Sequence, residues 1–165
     1  KALNDAYRQL RELLSTFRLT LQQADLAAAL NEMIAPLRSQ TSATIHIDCK
    51  TPTQALDAQQ QVHLLQLIRE AVLNAIKHSG ATEISVSCLS SPTGDHAVYV
   101  RDNGKGITSL EEPAGHYGLN IMFERAERLG GKLAITQPVT GGTLVSLSFS
   151  TDNNETVDST VIRGQ

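Results

Sequence analysis

The order of its periodic segments is what most narrows the fold of this chain. Alternating runs at Thr44–Cys49, Ile84–Leu89, Ala97–Arg101, Lys132–Gln137 and Thr143–Phe149 read as strands. Helical periodicity marks Lys1–Arg18, Asp25–Ser39, a segment from the N-cap Asp57 to about His78, and Leu119–Leu129. The order is helix, helix, strand, helix, strand, strand, helix, strand, strand. A doubly wound parallel sheet needs strict alternation. Two pairs of consecutive strands predict instead an α/β two-layer sandwich (α+β), with helices packed on one face of a mixed, mostly antiparallel sheet. Local punctuation agrees. Gln60 is placed to complete a capping box with Asp57. Pro92-Thr93-Gly94-Asp95 turns one strand pair, and Gly130-Gly131 stops the last helix. Pro36 should kink its helix or shorten the final turn.

Aromatic residues are 4% of the sequence and Trp is absent, so the core is built mainly from Leu, Ile, Val and Ala. A net charge of -3 with no basic block argues against a nucleic-acid groove. No apolar run approaches the ~18 residues of a membrane span, and no signal-peptide pattern opens the chain. No direct membrane contact is therefore expected of it. Cys49 and Cys88 lie in separate strand-like segments, without metal-ligand partners at useful spacing. They read as free buried thiols of a reducing compartment, although a disulfide needs only spatial closeness.

The first helix places Leu3, Tyr7, Leu10, Leu14 and Phe17 at a four-three alternation. That is the seam of a coiled coil or four-helix bundle, or else an amphipathic helix packed on its own domain. It begins without a cap, as if cut inside a longer helix. Residues from Thr151 onward are polar and are expected to be a disordered tail.

Chemistry concentrates in four places. The helix from Leu64 to His78 is apolar over a wide arc, crossed by Glu70, Asn74 and Lys77 with His78 beside them. Spacings of four and three put these on one face, which is either the solvent side or a ligand side. An amide oxygen at Asn74 suits Mg²⁺, an ammonium at Lys77 suits phosphate, and a carboxylate at Glu70 suits proton transfer or a metal-bound water. Asp102-Asn103-Gly104-Lys105-Gly106 follows a strand. A carboxylate there can accept from an adenine amino group, and glycines let the backbone approach a ligand. Gly115-His116-Tyr117-Gly118 opens a helix whose N-terminal N–H groups favour phosphate. Gly141-Gly142-Thr143 opens the last strand.

Together these segments resemble the ATP-binding domain of the superfamily of histidine kinases, gyrase, chaperones and mismatch-repair ATPases (the Bergerat fold). Glu70 to His78 is similar to its N box, Asp102 to Gly106 to G1, Gly115 to Gly118 to a reduced G2, and Gly141 to Thr143 to G3. Arg69-Glu70-Ala71, Gly118 to Ala126 and Leu129-Gly130-Gly131 resemble sensor kinases whose response regulators carry helix-turn-helix output domains. His116 to Leu119 with the strand around Val98 to Arg101 is similar to the nitrate/nitrite sensor kinases.

The resemblance implies ATP and Mg²⁺ as cofactors, with Asp102 on the adenine amino group and Asn74 on the metal. It implies Glu70 near the metal or as a base, and Lys77 on phosphate. Gly104, Gly106 and Gly118 would shape a lid over Thr108–Tyr117, and Thr143 would support the adenine end. His78, Tyr117, Leu119 and Gly142 complete the expected nucleotide contacts. Residues 1–19 would end a dimerisation and phosphotransfer helix, 20–150 would form the ATP-binding catalytic domain, and 151–165 the tail. None of His46, His63, His78, His96 or His116 stands in a phospho-acceptor context, and Phe123 occupies a position where the subfamily often has Arg. The expected reading is thus the cytoplasmic domain of an inner-membrane sensor. It would phosphorylate a histidine on its own dimerisation domain in a second protomer, for relay to a response regulator. The alternatives are a nucleotide-gated interaction module without turnover, and an ATPase of the gyrase or mismatch-repair type.

Overall fold

The computed structural model describes residues 2–22, 25–106 and 118–151. Helix α1 (Ala2–Gln22) is followed by α2 (Leu26–Arg38), β1 (Thr44–Cys49) and α3 (Ala58–Asn74). Then come β2 (Glu83–Ser90), β3 (Asp95–Asp102), α4 (Gly118–Arg128), β4 (Lys132–Thr136) and β5 (Thr143–Ser150). The strands form one sheet in the order β1-β2-β3-β5-β4. Only β1 and β2 are parallel; the other pairings are antiparallel. This is the expected two-layer architecture.

Alternation along the strands explains the layering. Ile84, Val86 and Cys88 of β2, Val98 and Val100 of β3, and Val145, Leu147 and Phe149 of β5 are buried on one face. Against them pack Leu30 and Ile34 of α2, Leu64, Leu65, Ile68 and Val72 of α3, and Met122 and Ala126 of α4. Truncating a fully buried member such as Leu65 to Ala should cost about 2–5 kcal/mol.

The Asp57 capping box forms as expected: Oδ1 of Asp57 accepts from Gln60 N at 2.7 Å, and Gln60 Oε1 accepts from Asp57 N at 3.0 Å. Pro36 lies inside α2, which continues to Arg38. Helix α3 differs from expectation at its end. After Asn74 it widens into a π-helical turn, Ala75–Ser79, closed by Gly80 in the left-handed region (φ 64°). Such turns recur at functional sites.

The two readings of α1 resolve onto separate faces. Leu3, Tyr7, Leu10, Leu14 and Phe17 are 45–83% exposed, so the apolar seam is not buried against the described residues. A polar face packs instead on α3. Gln66 Nε2 donates to Thr16 Oγ1 at 2.6 Å and to the Glu12 carbonyl at 3.1 Å. Arg69 Nη1 meets Glu12 Oε2 at 3.0 Å. Across α3 and α4, Arg125 Nη1 contacts His63 Nδ1 at 3.2 Å. Burial first, then the charges of Arg125 and Arg128, hold His63 below the usual imidazole range.

Candidate functional site: the C-terminal end of α3

All four glycine-bearing or polar segments meet around the end of α3, as far as they are described. Gly118, the first residue of α4, sits on the polar stripe. A Cβ at Gly118 would lie 3.1 Å from Asn74 Oδ1 and 3.2 Å from Glu70 Oε2. The stripe is therefore not simply a solvent face: Glu70 is buried, Asn74 half-buried, and only Lys77 and His78 are exposed. Burial raises the Glu70 pKa, and the nearby Glu12 carboxylate raises it further, against the opposing charges of Arg69, Lys77 and Arg8.

Asp102 ends β3 and is buried between Ile84 on β2 and Thr143 on β5, its register partners on either side. Its Oδ1 accepts from Gly104 N at 2.8 Å, which folds the chain into a tight turn directly after the strand. Gly104 is required by close approach, since a Cβ would collide with the Ser79 backbone and side chain. Gly142 has φ 78°, and its missing side chain leaves room for the carbonyl of Asp102. Gly106 lies against Gln137 and the Gly142 carbonyl, so the G1 and G3 segments touch. Leu119 packs against the hydrophobic core at the start of α4. Tyr117, with the expected lid (Thr108–Tyr117) and most of the expected tail, lies outside the described residues.

Several groups that hold this arrangement carry no motif. Lys105 N donates to the Ser79 carbonyl at 2.9 Å, tying the G1 loop to the π turn. The Ser79 hydroxyl bonds back to the Ala75 carbonyl at 2.5 Å and accepts from Ala81 N at 3.1 Å. Asn103 Oδ1 accepts from both Thr82 N and Glu83 N at 2.9 Å, while its Nδ2 donates to Thr82 Oγ1 at 2.8 Å. The Asn-Gly pair offered a turn signal; the clamp across to residues 82 and 83 had none in the sequence. Arg69, adjacent to Glu70 in the chain, is likewise a structural contact that no spacing rule singles out.

The site combines a buried carboxylate between two strand ends, glycine-lined backbone, and an acid and amide facing a helix N-terminus. That combination defines a nucleotide-binding ATPase domain, and comparison with known proteins agrees. A family profile described as "Histidine kinase-, DNA gyrase B-, and HSP90-like ATPase" matches residues 59–153. The chain belongs to this family. It is 68% identical over 155 residues to the nitrate/nitrite sensor protein NarQ of Escherichia coli, covering 94% of this chain and 27% of that protein. It is 36% identical to the nitrate/nitrite sensor protein NarX of Escherichia coli, over 89% of this chain and 24% of that one. The chain thus spans about a quarter of the length of these relatives. Among solved structures, the blue-light activated histidine kinase EL346 of Erythrobacter litoralis has the same fold. Its TM-score is 0.74 at 18% identity, covering 88% of this chain and 49% of that one. No helix among the described residues is long and apolar enough to cross a membrane.

Proposed function

We propose that this chain is the ATP-binding catalytic domain of a sensor histidine kinase. It binds MgATP and passes the γ-phosphoryl group to a histidine on a dimerisation helix outside this chain. Relay to a response-regulator aspartate follows, in nitrate/nitrite signalling on the cytoplasmic side of an inner-membrane sensor. The observation that carries the reading is the meeting of Asn74 and Glu70 with Gly118 at one side of the α3 end, and of Asp102, Gly104 and Gly142 at the other. The similarity to NarQ supports the signal, and the exposed seam of α1 supports a partner helix from a dimerisation domain.

Asp102 would accept from the adenine amino group, with Thr143 beside it. Asn74 would supply one oxygen to Mg²⁺; that donor set fits, since this ion takes one or two protein ligands beside phosphates. The space left by the missing Gly118 side chain, directly on Asn74 and Glu70, is where such a group fits. The metal would neutralise phosphate charge, together with Lys77. His78, Gly106, Tyr117 and Leu119 would border the nucleotide. Glu70, its pKa raised by burial, suits a group that takes up a proton near neutral pH. Phosphoryl transfer needs little covalent help, so positioning and charge compensation carry the catalysis.

The test is thermal unfolding with a non-hydrolysable ATP analogue and Mg²⁺. Ligand at about 100 times Kd should stabilise the wild type by roughly 2.7 kcal/mol. Asn74→Ala and Asp102→Ala should lose that stabilisation, and Asp102→Asn, which keeps an acceptor for Gly104 N, separates the turn from ligand contact. With the dimerisation segment supplied in trans, phosphate on its histidine is expected. Binding without transfer would indicate a nucleotide-gated module instead, and sustained phosphate release an ATPase.

A further inference from the structure

Away from the α3 end, the two cysteines of the chain come together. Cys49 ends β1 and Cys88 stands directly opposite it on β2 in the parallel register. Neighbouring strands run about 4.7–4.9 Å apart, within the Cα separations that a disulfide spans. Both residues lie on the helix-facing side of the sheet, in line with Ile45 and Ile47 on β1 and with Ile84 and Val86 on β2. The Lys50 N–H donates to the Cys88 carbonyl at 2.8 Å, so the pairing is held beyond the strand end. Cys88 is fully buried, whereas Cys49, on the edge strand, is partly exposed. The two sites therefore differ in access while sharing one contact.

From this pairing we infer that Cys49 and Cys88 form a reversible cross-strand redox pair, in which Cys49 is the peroxide-reactive thiol and Cys88 the resolving one.

The electrostatics favour the same division. The Cys88 thiol, bonded to the Cys49 sulfur, is the largest influence lowering the Cys49 pKa, to about 7, and a backbone hydrogen bond from Thr51 adds to it. Desolvation and the carboxylates of Asp25 and Asp48 oppose that shift without cancelling it. Cys88 is pushed up by the same bond and by burial, so it stays a thiol. A thiolate is the nucleophile in peroxide oxidation. The Cys49 sulfur attacks one oxygen of hydrogen peroxide. The O–O bond breaks, hydroxide leaves and takes a proton to become water, and Cys49 becomes a sulfenic acid, oxidised by two electrons. The Cys88 sulfur then attacks the Cys49 sulfur. The S–O bond breaks, and the departing hydroxide takes the Cys88 proton as a second water. The product is a Cys49–Cys88 disulfide fastening the edge strand to its neighbour, which a cellular dithiol reduces by exchange. The pair lies at the opposite end of β2 from Ile84, the register partner of Asp102, so its oxidation is readable without reference to nucleotide binding.

The experiment exposes the folded chain to limited hydrogen peroxide, blocks remaining thiols after denaturation, and maps the peptides by mass. Wild type should yield an intramolecular Cys49–Cys88 peptide lighter by two hydrogens, reversed by dithiothreitol. Cys88→Ser should instead accumulate a sulfenic acid at Cys49, captured by dimedone. Cys49→Ser should leave Cys88 at least about tenfold slower to react than Cys49 does in the wild type. Circular dichroism of each variant establishes that it is folded. Unlinked thiols after full peroxide consumption, bridges only between chains, or faster reaction at Cys88 than at Cys49 would each overturn the assignment.

Discussion

The guanidinium of Arg69 reaches across from α3 to the carboxylate of Glu12 on α1, with Nη1 to Oε2 at 3.0 Å. The same Nη1 lies 3.9 Å from Glu70 Oε1. One cation thus stands between the helix that bears the apolar seam and the carboxylate at the candidate site. Side chains of Arg69 and Glu12 are only 19% and 21% exposed, so this pair is poorly screened.

The pair yields two shifts of opposite sign. Glu12→Gln removes a carboxylate that raises the Glu70 pKa, so that pKa should fall. Arg69→Met removes a cation that lowers it, so it should rise. Carboxyl-carbon NMR titration of Glu70 reads both. Arg69→Met should also cost about 1–3 kcal/mol in denaturant unfolding, because it leaves Glu12 without its partner. Shifts of the same sign would rule out the charge relationship.

Glu70 predicts how stability varies with pH. Its folded pKa is raised above the unfolded value, so between the two the native state binds more protons than the unfolded chain. Its contribution is fully present below the unfolded pKa and is lost as pH rises through the folded one. Glu70→Gln should flatten that part of the profile and leave the variant more stable than wild type at neutral pH. Phosphoryl transfer should fall at the same time. Urea melts from acid to neutral pH check the slope, and a steeper decline in the variant would contradict the burial argument.

Gly118→Ala separates helix stability from ligand space. Alanine favours a helix, so the melting temperature should hold or rise. The added methyl meets Asn74 Oδ1 at 3.1 Å and Glu70 Oε2 at 3.2 Å, and those side chains must yield. Nucleotide affinity should drop about tenfold, or about 1.4 kcal/mol, by calorimetry. Unchanged affinity would place the nucleotide away from this contact.

The α1 seam predicts an association defect without a folding defect. Leu10 and Leu14 are 52% and 57% exposed, so charging them should leave the unfolding midpoint nearly unmoved. Leu10→Glu with Leu14→Glu should abolish self-association, or binding to a supplied dimerisation segment, in sedimentation experiments. A large loss of stability would mean that the seam packs on its own domain.

Much of this structure was legible from local signals. The capping box at Asp57, the strand alternation and the Gly130-Gly131 stop each act over a few residues, and each formed. The two glycines nearest the strand ends read as points of close approach, and both fill that role. What sequence could not supply came from distant partners. The depth of Glu70 depends on α4 and α1 closing over it, and the Asn103 clamp depends on residues 82 and 83. The choice between faces of α1 depended on Gln66 and Arg69, far along the chain. Periodicity reports which residues share a side, not what lies against that side.

The widened turn at Ala75–Ser79 makes this stretch unusually sensitive to chain length. Each residue of an ordinary helix advances the direction of its successors by about 100°. Deleting one residue here would let regular winding run to the end, and would also swing Ser79 off its seat beneath Gly104 by about that angle. Exchanging one side chain for another alters a contact, whereas changing the residue count re-aims the whole loop that follows.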